Sequence, residues 1–515
     1  MPAGEARLTA VRAACEHEGM NSSRDEGRSP AVGLFGCLLC LLPFVCSEAA
    51  QAGGFSITIL GGRRTGMLAT LGSPDDVTAL FHNPAGLGEL PGTRFHFSGS
   101  TTFFTTEFRL RPLDPVRFPA INPAGCGTPG QAACPWPVNS QGFYEKVIEP
   151  ESYFGVLPYL GFSQDLGFIS PKAKDVVVSF AVTAPNLYGA NLPAGAPTAY
   201  NFIKGYFAVI SAMAGAGWKI NDKISVGAGL SYNYMRLSYA QRLSLADTLR
   251  GRNPTADDII DADVAQAAIG DVRLDYTGVD HGMGWNFGVL LHPTSWLNFG
   301  ISYNGATSAN FKGAVSINEV APPGGRLQEL TRSIGIKLPT SLAVEMPIPH
   351  ALGAGLTFKV SPKLEIGLDY RLWFYQVYNE QVIVPSYDPG QAGREPLSRE
   401  DLSRRKDYNL SYEISLGFLT RPFANLPGLE LMAGVGYDES PIPSRYLSLD
   451  NPALNQINLA VGARWQINPR WRLSGTYMAN WFLERDVTNS ALSPAMNLRG
   501  KGFSHMPRVE IEYMR

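Results

Sequence analysis

Charged side chains occupy every second position in several segments, and they are the residues most suited to chemistry. In "KLEIGLDYRL", Glu365, Asp369 and Arg371 lie on one face of an extended chain. Two carboxylates held close together could serve as a general acid and a general base. The same spacing suits charges that pair with one another along the inside of a β-structure, which is the interpretation we favour. Comparable positions are held by Glu413, Arg464, Arg472, Arg508, Glu510 and Glu512.

Recognised catalytic and metal-binding motifs are missing from the sequence. It contains no HExxH, GxSxG or Walker A pattern and no Cys/His set with zinc spacing. The seven histidines are scattered, and His82 is expected to be a satisfied interior residue. We therefore assign no catalytic residue, no metal and no cofactor, and we expect that the protein is not an enzyme.

The N-terminal segment resembles an export signal. Its apolar core, "AVGLFGCLLCLLPFV", has about 15 residues, fewer than the ~20 that a membrane-spanning helix needs. Ala50 and Ala52 form a small-x-small cleavage pattern. Residues 1–52 are thus predicted to be an N-terminal extension and cleaved signal peptide, with Met20 as a possible start and an anchor helix as the alternative.

Of the six cysteines, only Cys126 and Cys134 follow this segment. An exported protein meets an oxidising compartment, so two nearby cysteines predict a loop-closing disulfide. Two free thiols are the alternative.

The composition is unusual for a soluble protein. Charged residues make up 17% of the 515 residues, against about 25% in soluble proteins, while 54 glycines and 11% aromatic residues are present. The mean hydropathy of −0.05 is too polar for a bundle of membrane helices. The net charge of −2 leaves no basic surplus for nucleic-acid binding.

Apolar residues alternate with polar residues or glycine along most of the chain after residue 92, as in "KISVGAGLSYNYM". This period of two predicts β-strands. We expect about fourteen, at 93–111, 153–164, 175–188, 206–219, 223–239, 272–291, 296–312, 342–360, 363–384, 408–420, 428–440, 456–467, 470–485 and 502–514. Aromatic residues near strand ends predict girdles at the membrane surfaces, formed by Trp218, Trp296, Trp465, Trp471, Trp481 and Tyr513.

Short turns such as "INDK" alternate with long loops such as 112–152 and 240–271. Outer-membrane barrels have this arrangement, with turns in the periplasm and loops outside. The predicted fold is all-β: a transmembrane antiparallel β-barrel over residues 92–515, with long extracellular loops and a wet, charged lumen.

Residues 53–91 precede the first strand and show no alternation. The segment is rich in glycine and too short to fold alone. We predict that it packs inside the barrel as a lumenal hatch, a plug that a general porin does not need.

The third predicted strand meets Pro185 and then Gly189. Because proline cannot donate a ladder hydrogen bond, either the strand ends there or the wall is disrupted. The residues themselves leave both interpretations open.

Taken in order, "SPDDVTALFHNPAGL", "GWKINDKISVGAGLSY", "KLEIGLDYRLWF" and "GVGYDESPIP" resemble the FadL-type outer-membrane transporters of long-chain fatty acids and other hydrophobic molecules. The resemblance covers nearly all of residues 53–515. It implies that Asn83, Pro84 and Ala85 are the hatch motif. It also implies passive uptake into an internal pocket, with release sideways through the wall near the third strand. One departure is the ending "VEIEYMR", which lacks the usual terminal aromatic residue.

The resemblance further implies the outer membrane of a Gram-negative bacterium as the location. The expected partners are hydrophobic ligands such as long-chain fatty acids, outer-membrane lipid and lipopolysaccharide, and the barrel-assembly machinery. Nucleic acid is not expected, and the chain is expected to be monomeric. The alternative functions are a general porin-like diffusion channel and a structural or adhesive barrel.

Overall fold

The computed structural model describes residues 59–515, apart from 116–117, 119–120, 123–125, 132, 152–154, 245–270, 321–325, 334, 336, 394 and 396–397. The predicted signal segment, residues 1–52, lies outside the described residues. Within the described part, no helix is long and apolar enough to cross a membrane.

The strands form a single closed wall. The first six are β1 (Thr93–Leu110), β2 (Gly155–Asp165), β3 (Val176–Asn191), β4 (Lys204–Asn221), β5 (Ile224–Ser244) and β6 (Asp271–Thr294). Three are interrupted: β7 (Leu297–Asn304 and Thr307–Glu319), β8 (Ser341–Ile348 and Ala351–Ser361) and β9 (Leu364–Trp373 and Ile383–Ser386). The last five are β10 (Ser411–Thr420), β11 (Leu429–Asp438), β12 (Gln456–Asn468), β13 (Trp471–Val487) and β14 (Leu498–Met514).

The remaining elements are short. The helices are α1 (Gly62–Met67), α2 (Ala79–His82), α3 (Arg326–Ser333) and α4 (Arg399–Leu402). Single 3₁₀ turns occupy Pro84–Glu89, Leu166–Phe168, Pro171–Ala173, Pro197–Tyr200, Tyr375–Val377 and Ser444–Tyr446. Glu380–Gln381 pairs with Arg404–Arg405 in a separate two-stranded ribbon.

Every wall strand is antiparallel to its neighbours, and the first strand meets the last. Phe97 of β1 pairs with Leu160 of β2 on one side and with Ile511 of β14 on the other. Closure leaves no free sheet edge, which is the condition for strands to cross a lipid bilayer. The predicted fourteen-stranded antiparallel barrel is confirmed.

Three strands are interrupted where the sequence predicted continuous ones. The seventh and ninth strands were expected to be continuous over 296–312 and 363–384, but β7 breaks after Asn304 and β9 breaks between Trp373 and Ile383. β8 breaks after Ile348, where Pro349 cannot donate to the ladder. Alternation continues across such breaks, so periodicity alone does not reveal them.

The outer face of the barrel is apolar and edged by aromatic residues. Phe95, Leu230, Val461 and Val509 are each at least half exposed, as lipid-facing side chains must be. Five of the predicted girdle residues lie at the end with short turns, and Trp471 packs on Tyr513 with ring centroids 4.9 Å apart. Trp481 lies toward the opposite end of β13.

The lumen is divided into a polar part and an apolar part. Near the turn end, β1 points His96, Ser98 and Ser100 inward; near the loop end it points Phe104 and Phe108 inward. A large buried cluster of aromatic and aliphatic side chains joins the loop-end residues to the loops, including Tyr144, Tyr200 and Tyr375. The expected charged lumen is found only in the turn half, where the charges lie against residues 59–90; the loop half is apolar.

Glycines on the inner wall make room for those residues. Gly217 of β4, Gly227 of β5 and Gly288 of β6 are direct cross-strand partners and form a row. A Cβ at Gly227 would overlap the carbonyl of Pro84, and one at Gly288 would overlap the Asn83 side chain. The segment thus lies closer to the wall than any residue with a side chain would permit.

We expect the substitution Gly227→Ala to displace the Pro84 backbone and to cost about 1–3 kcal/mol, as overpacking does. The barrel should still form, but its conductance in planar bilayers should rise because the segment no longer seats. Gly475→Ala is the matched control, since no atom lies within 4 Å of the added methyl group. Equal conductance in the two variants would contradict this role of the glycine row.

Candidate functional site: the plugged lumen

Residues 59–90, which we call the hatch, are held by short helical turns. Asn83 is extended, with φ −157° and ψ 96°, and ends α2. Its side-chain oxygen accepts a hydrogen bond from the Ala85 amide at 3.2 Å, which begins the 3₁₀ turn. Pro84 occupies the first position of that turn, where its missing N–H costs nothing.

Asn83 also connects the hatch to β6 of the wall. Its amide nitrogen donates to the Leu71 carbonyl at 3.0 Å within the hatch and to the Val289 carbonyl of β6 at 3.3 Å. Asn83, Pro84 and Ala85 are fully buried. The structure places the three residues of the expected hatch motif against the glycine row.

His82 links the hatch to β9. Its Nε2 lies 2.6 Å from the Leu60 carbonyl, which can only accept, so Nε2 carries the proton. Nδ1 then accepts from the Arg371 guanidinium at 3.0 Å. Burial, reinforced by the nearby Arg371 charge, holds the pKa of His82 well below its usual value, so the ring is neutral.

Eight of the nine polar wall residues singled out from the sequence contact the hatch, while Glu512 pairs with Arg94 and Arg472 of the wall. Glu365 pairs with Arg63, Glu413 with Arg64, Arg464 with Asp75, and Arg371 with His82. Asp369 accepts from the Thr70 and Leu71 amides at 2.7 and 2.9 Å, and Glu510 accepts from the Gly62 amide. Arg472 donates to the Asp75 carbonyl at 3.2 Å, and Arg508 donates to the Ile59 carbonyl at 3.0 Å.

Asp75 is the centre of this charge network. Its carboxylate receives two hydrogen bonds from Arg464, at 2.6 and 2.9 Å, and lies 3.3 Å from Arg63. Burial alone would raise the pKa of Asp75, but the two guanidinium groups outweigh burial and hold it far below its usual value. Asp75 therefore stays charged throughout the physiological pH range.

Sequence patterns do not single out Arg63, Arg64 or Asp75. Charged residues inside a glycine-rich segment were the available signal, because such a segment must bury them once it enters a lumen. Their partners lie about 300 to 400 residues away in the chain, which no local pattern reveals.

Among the described residues, the hydrogen-bond ladder between β2 and β3 is shorter than the two strands. The ladder runs from Asp165–Val177 to Tyr159–Thr183 and then stops, although β3 continues alongside β4 to Asn191. The β3–β4 register shifts between Thr183 and Asn186, at Pro185. Gly189 lies beyond the shift, on the stretch of β3 that has no ladder partner in the described part of β2.

The loop half of the lumen contains an apolar cavity with about 930 Å³ of empty space, part of it open. We call it the outer cavity. Its walls are aromatic and aliphatic, and they include Phe207, Tyr276, Val344 and Met346. One side carries Arg404, which donates to the Tyr239 hydroxyl at 3.0 Å and to the Gln241 side chain at 2.5 Å.

A second cavity, the inner cavity, lies against the hatch. It has about 780 Å³ of empty space and is lined by Phe81 of the hatch and by Pro185, Asn186 and Val209. The outer cavity includes Gly189 and Ala190 of the same strand. Both cavities therefore border the irregular part of β3.

The first long loop carries the two cysteines. Cys126 and Cys134 are joined as a disulfide, with their Cα atoms 5.9 Å apart. The bond closes a short loop that is remote in sequence from the hatch.

We expect hatch closure to weaken at acidic pH through His82. Released into water, its ring would titrate near 6.5, whereas the seated ring stays neutral beside Arg371. Closure is then fully stable above about pH 6.5 and loses about 1.4 kcal/mol for each pH unit below it, because the released form binds the extra proton. Channel opening between pH 8 and pH 5, recorded in planar bilayers, measures this.

His82→Gln removes the titration while keeping an amide donor for the Leu60 carbonyl. Its opening should be independent of pH over this interval. A wild-type pH profile in this variant would assign the pH response to another group.

Residues 165–501, more than half of the chain, match the family model described as outer membrane protein transport protein (OMPP1/FadL/TodX). A comparison with curated protein sequences finds no match.

The fold matches several solved structures. A FadL homologue of Pseudomonas aeruginosa has a TM-score of 0.70 and 13% identity, over 90% of this chain and 99% of that one. The toluene transporter TodX of P. putida has a TM-score of 0.63 and 14% identity, over 88% of this chain and 98% of that one. The toluene transporter TbuX of Ralstonia pickettii has a TM-score of 0.58 and 15% identity, over 88% of this chain and 98% of that one. At these identities the likeness shows the fold, while the family match shows descent: this chain belongs to the OMPP1/FadL/TodX family of outer-membrane transport proteins.

Proposed function

We propose that the protein takes up long-chain fatty acids or similar hydrophobic molecules passively across the outer membrane of a Gram-negative bacterium. Its family consists of transport channels for hydrophobic compounds and not of enzymes. The observation that carries the proposal is an apolar cavity inside a barrel whose other end is closed by a hatch with buried ion pairs.

A general porin is disfavoured by the filling of the lumen. Porins conduct because an aqueous channel runs through the barrel. Here the hatch fills the turn half, and buried aromatic residues fill much of the loop half. A hydrophobic solute gains by leaving water for such surroundings, whereas an ion or sugar loses its hydration.

The proposed route runs from the outer cavity to the inner cavity and then sideways between β2 and β3. Lateral release suits a greasy ligand, since it enters the lipid without crossing the charged hatch. The missing ladder beyond Thr183 and the presence of β3 residues in both cavities support this route.

Two ligand classes remain candidates. TodX and TbuX are named toluene transporters, which favours aromatic hydrocarbons. Arg404 favours a carboxylate, because its hydrogen bonds on the cavity side go to neutral oxygens, while the nearby Asp450 is paired with Lys406. We propose a fatty acid as the first candidate, with its carboxylate toward Arg404 and its chain among the aromatic residues.

The route is tested by filling each cavity with an indole. Val344→Trp in the outer cavity should abolish both ligand binding and uptake. Val209→Trp in the inner cavity should leave binding intact but reduce uptake, because Val209 pairs with Asn186 beside the irregular strand. Binding is measured on detergent-purified protein, and uptake is measured in cells with a labelled fatty acid.

Val461→Trp is the control, since Val461 faces outward with 55% of its surface exposed. It should behave as wild type. Normal uptake in both cavity variants would refute the route, and unchanged binding in Val344→Trp would remove the outer cavity as the ligand site.

Arg404→Gln separates the two ligand classes. Loss of a charge-assisted hydrogen bond, about 1.5–3 kcal/mol, should weaken fatty-acid binding tenfold or more. Binding of toluene should not change, because it has no charge to pair. Calorimetric titration measures the affinity of wild type and Arg404→Gln for each ligand. An equal loss of affinity for both ligands would rule out the carboxylate contact.

A further inference from the structure

Seven charged residues form a patch on the outward face of the barrel at its loop end. They lie on or next to β1, β13 and β14, close to the pairing of the first strand with the last. The seven residues are Glu107, Arg109, Arg111, Glu484, Asp486, Arg499 and Lys501. Their side chains point away from the lumen, in alternation with buried residues such as Phe108.

The patch lies directly above the apolar belt. Phe103, Trp481 and Phe503 occupy the preceding outward positions, and Trp481 is 61% exposed. From Phe95 to Thr105, ten residues of β1 at ~3.3 Å each and a ~40° tilt span roughly 25 Å, the usual height of the lipid-facing band. The charges therefore sit at headgroup level, on the side of the membrane that carries the long loops.

Two arginines in the patch face each other. Arg109 of β1 and Arg499 of β14 are direct cross-strand partners. Like charges at this spacing destabilise a sheet unless an anion lies between them. A bound anion would turn this repulsion into two attractions.

The acids of the patch are already paired. Asp486 is shared by Arg111 at 2.8 Å and Arg499 at 2.9 Å, while Lys501 lies 2.8 Å from Glu107. Glu484 lies 3.7 Å from Arg499. Within the described part of the chain, Arg109 has no carboxylate at ion-pair distance, so four cations face three acids.

A shallow recess, open to solvent, lies between these side chains. It is lined by Glu107, Arg109, Glu484, Arg499 and Lys501. Its position above exposed aromatic rings suits a ligand with a phosphate at one end and acyl chains below. Arginine is the side chain best matched to phosphate, which it binds through two parallel N–H groups.

We propose that this patch binds the phosphorylated headgroup of an outer-leaflet lipid of the lipid A type, with a phosphate between Arg109 and Arg499 and the acyl chains along Trp481 and Phe103. The site is separate from the transport route, and it depends on the outer-membrane location rather than on the identity of the transported ligand. Its occupant would be held permanently at the seam between β1 and β14.

The test measures binding of purified bisphosphorylated lipid A to the full-length mature protein in detergent by native mass spectrometry. Arg109→Ala should weaken binding at least tenfold, since it removes a charge-assisted contact. Arg470→Ala is the matched control, an exposed arginine at the turn end. Dephosphorylated lipid A should bind all forms weakly, and inorganic phosphate alone should not compete at millimolar concentration.

A second measurement guards against a purely structural role. Without lipid, Arg109→Ala should be as stable to heat as wild type or more stable, because repulsion from Arg499 is relieved. Added lipid A should raise the melting temperature of wild type but not of the variant. Loss of stability in lipid-free Arg109→Ala, equal lipid A binding by both proteins, or competition by inorganic phosphate alone would each overturn the proposal.

Discussion

The ion pairs that join the hatch to the wall are the interaction on which the remaining arrangement depends. Arg63, Arg64 and Asp75 are buried with Glu365, Glu413 and Arg464. Removing one partner from a buried pair typically costs about 3–5 kcal/mol, because the other charge is left without water or a counter-charge. Ejection of the whole hatch would separate several such pairs at once, and water would have to enter the lumen to solvate the separated charges.

This constraint affects how a ligand can leave. A route through the hatch would require water to replace the buried ion pairs, and that water would oppose a hydrophobic ligand. A route through the wall requires only that neighbouring strands lack hydrogen bonds. The stretch of β3 after Thr183 meets that requirement, since its ladder with the described part of β2 ends at that residue. In the route proposed above, a seated hatch and a short β2–β3 ladder complement each other.

The two halves of the lumen differ in polarity and in what they hold. The charged half holds the hatch, and the glycine row lets the backbone of Pro84 approach the wall closely enough for Asn83 to reach the Val289 carbonyl. The apolar half contains the outer cavity, with Arg404 on one side. On the outer face, the patch around Arg109 is the site proposed for a lipid headgroup. Each region has the polarity of what it contacts.

Much of this was determined by the sequence alone, and the reason is physical. A strand with lipid on one face and a filled lumen on the other must alternate, so period-two patterning predicted the strands, their number and the loop-end asymmetry. It also predicted that the side chains of Glu365, Asp369, Arg371 and Glu413 point into the lumen. Only the tertiary structure decided their partners, since the contacts of Arg63, Arg64 and Asp75 join residues hundreds of positions apart. It likewise decided that the glycines at 217, 227 and 288 align, because cross-strand register depends on the closure of the whole barrel.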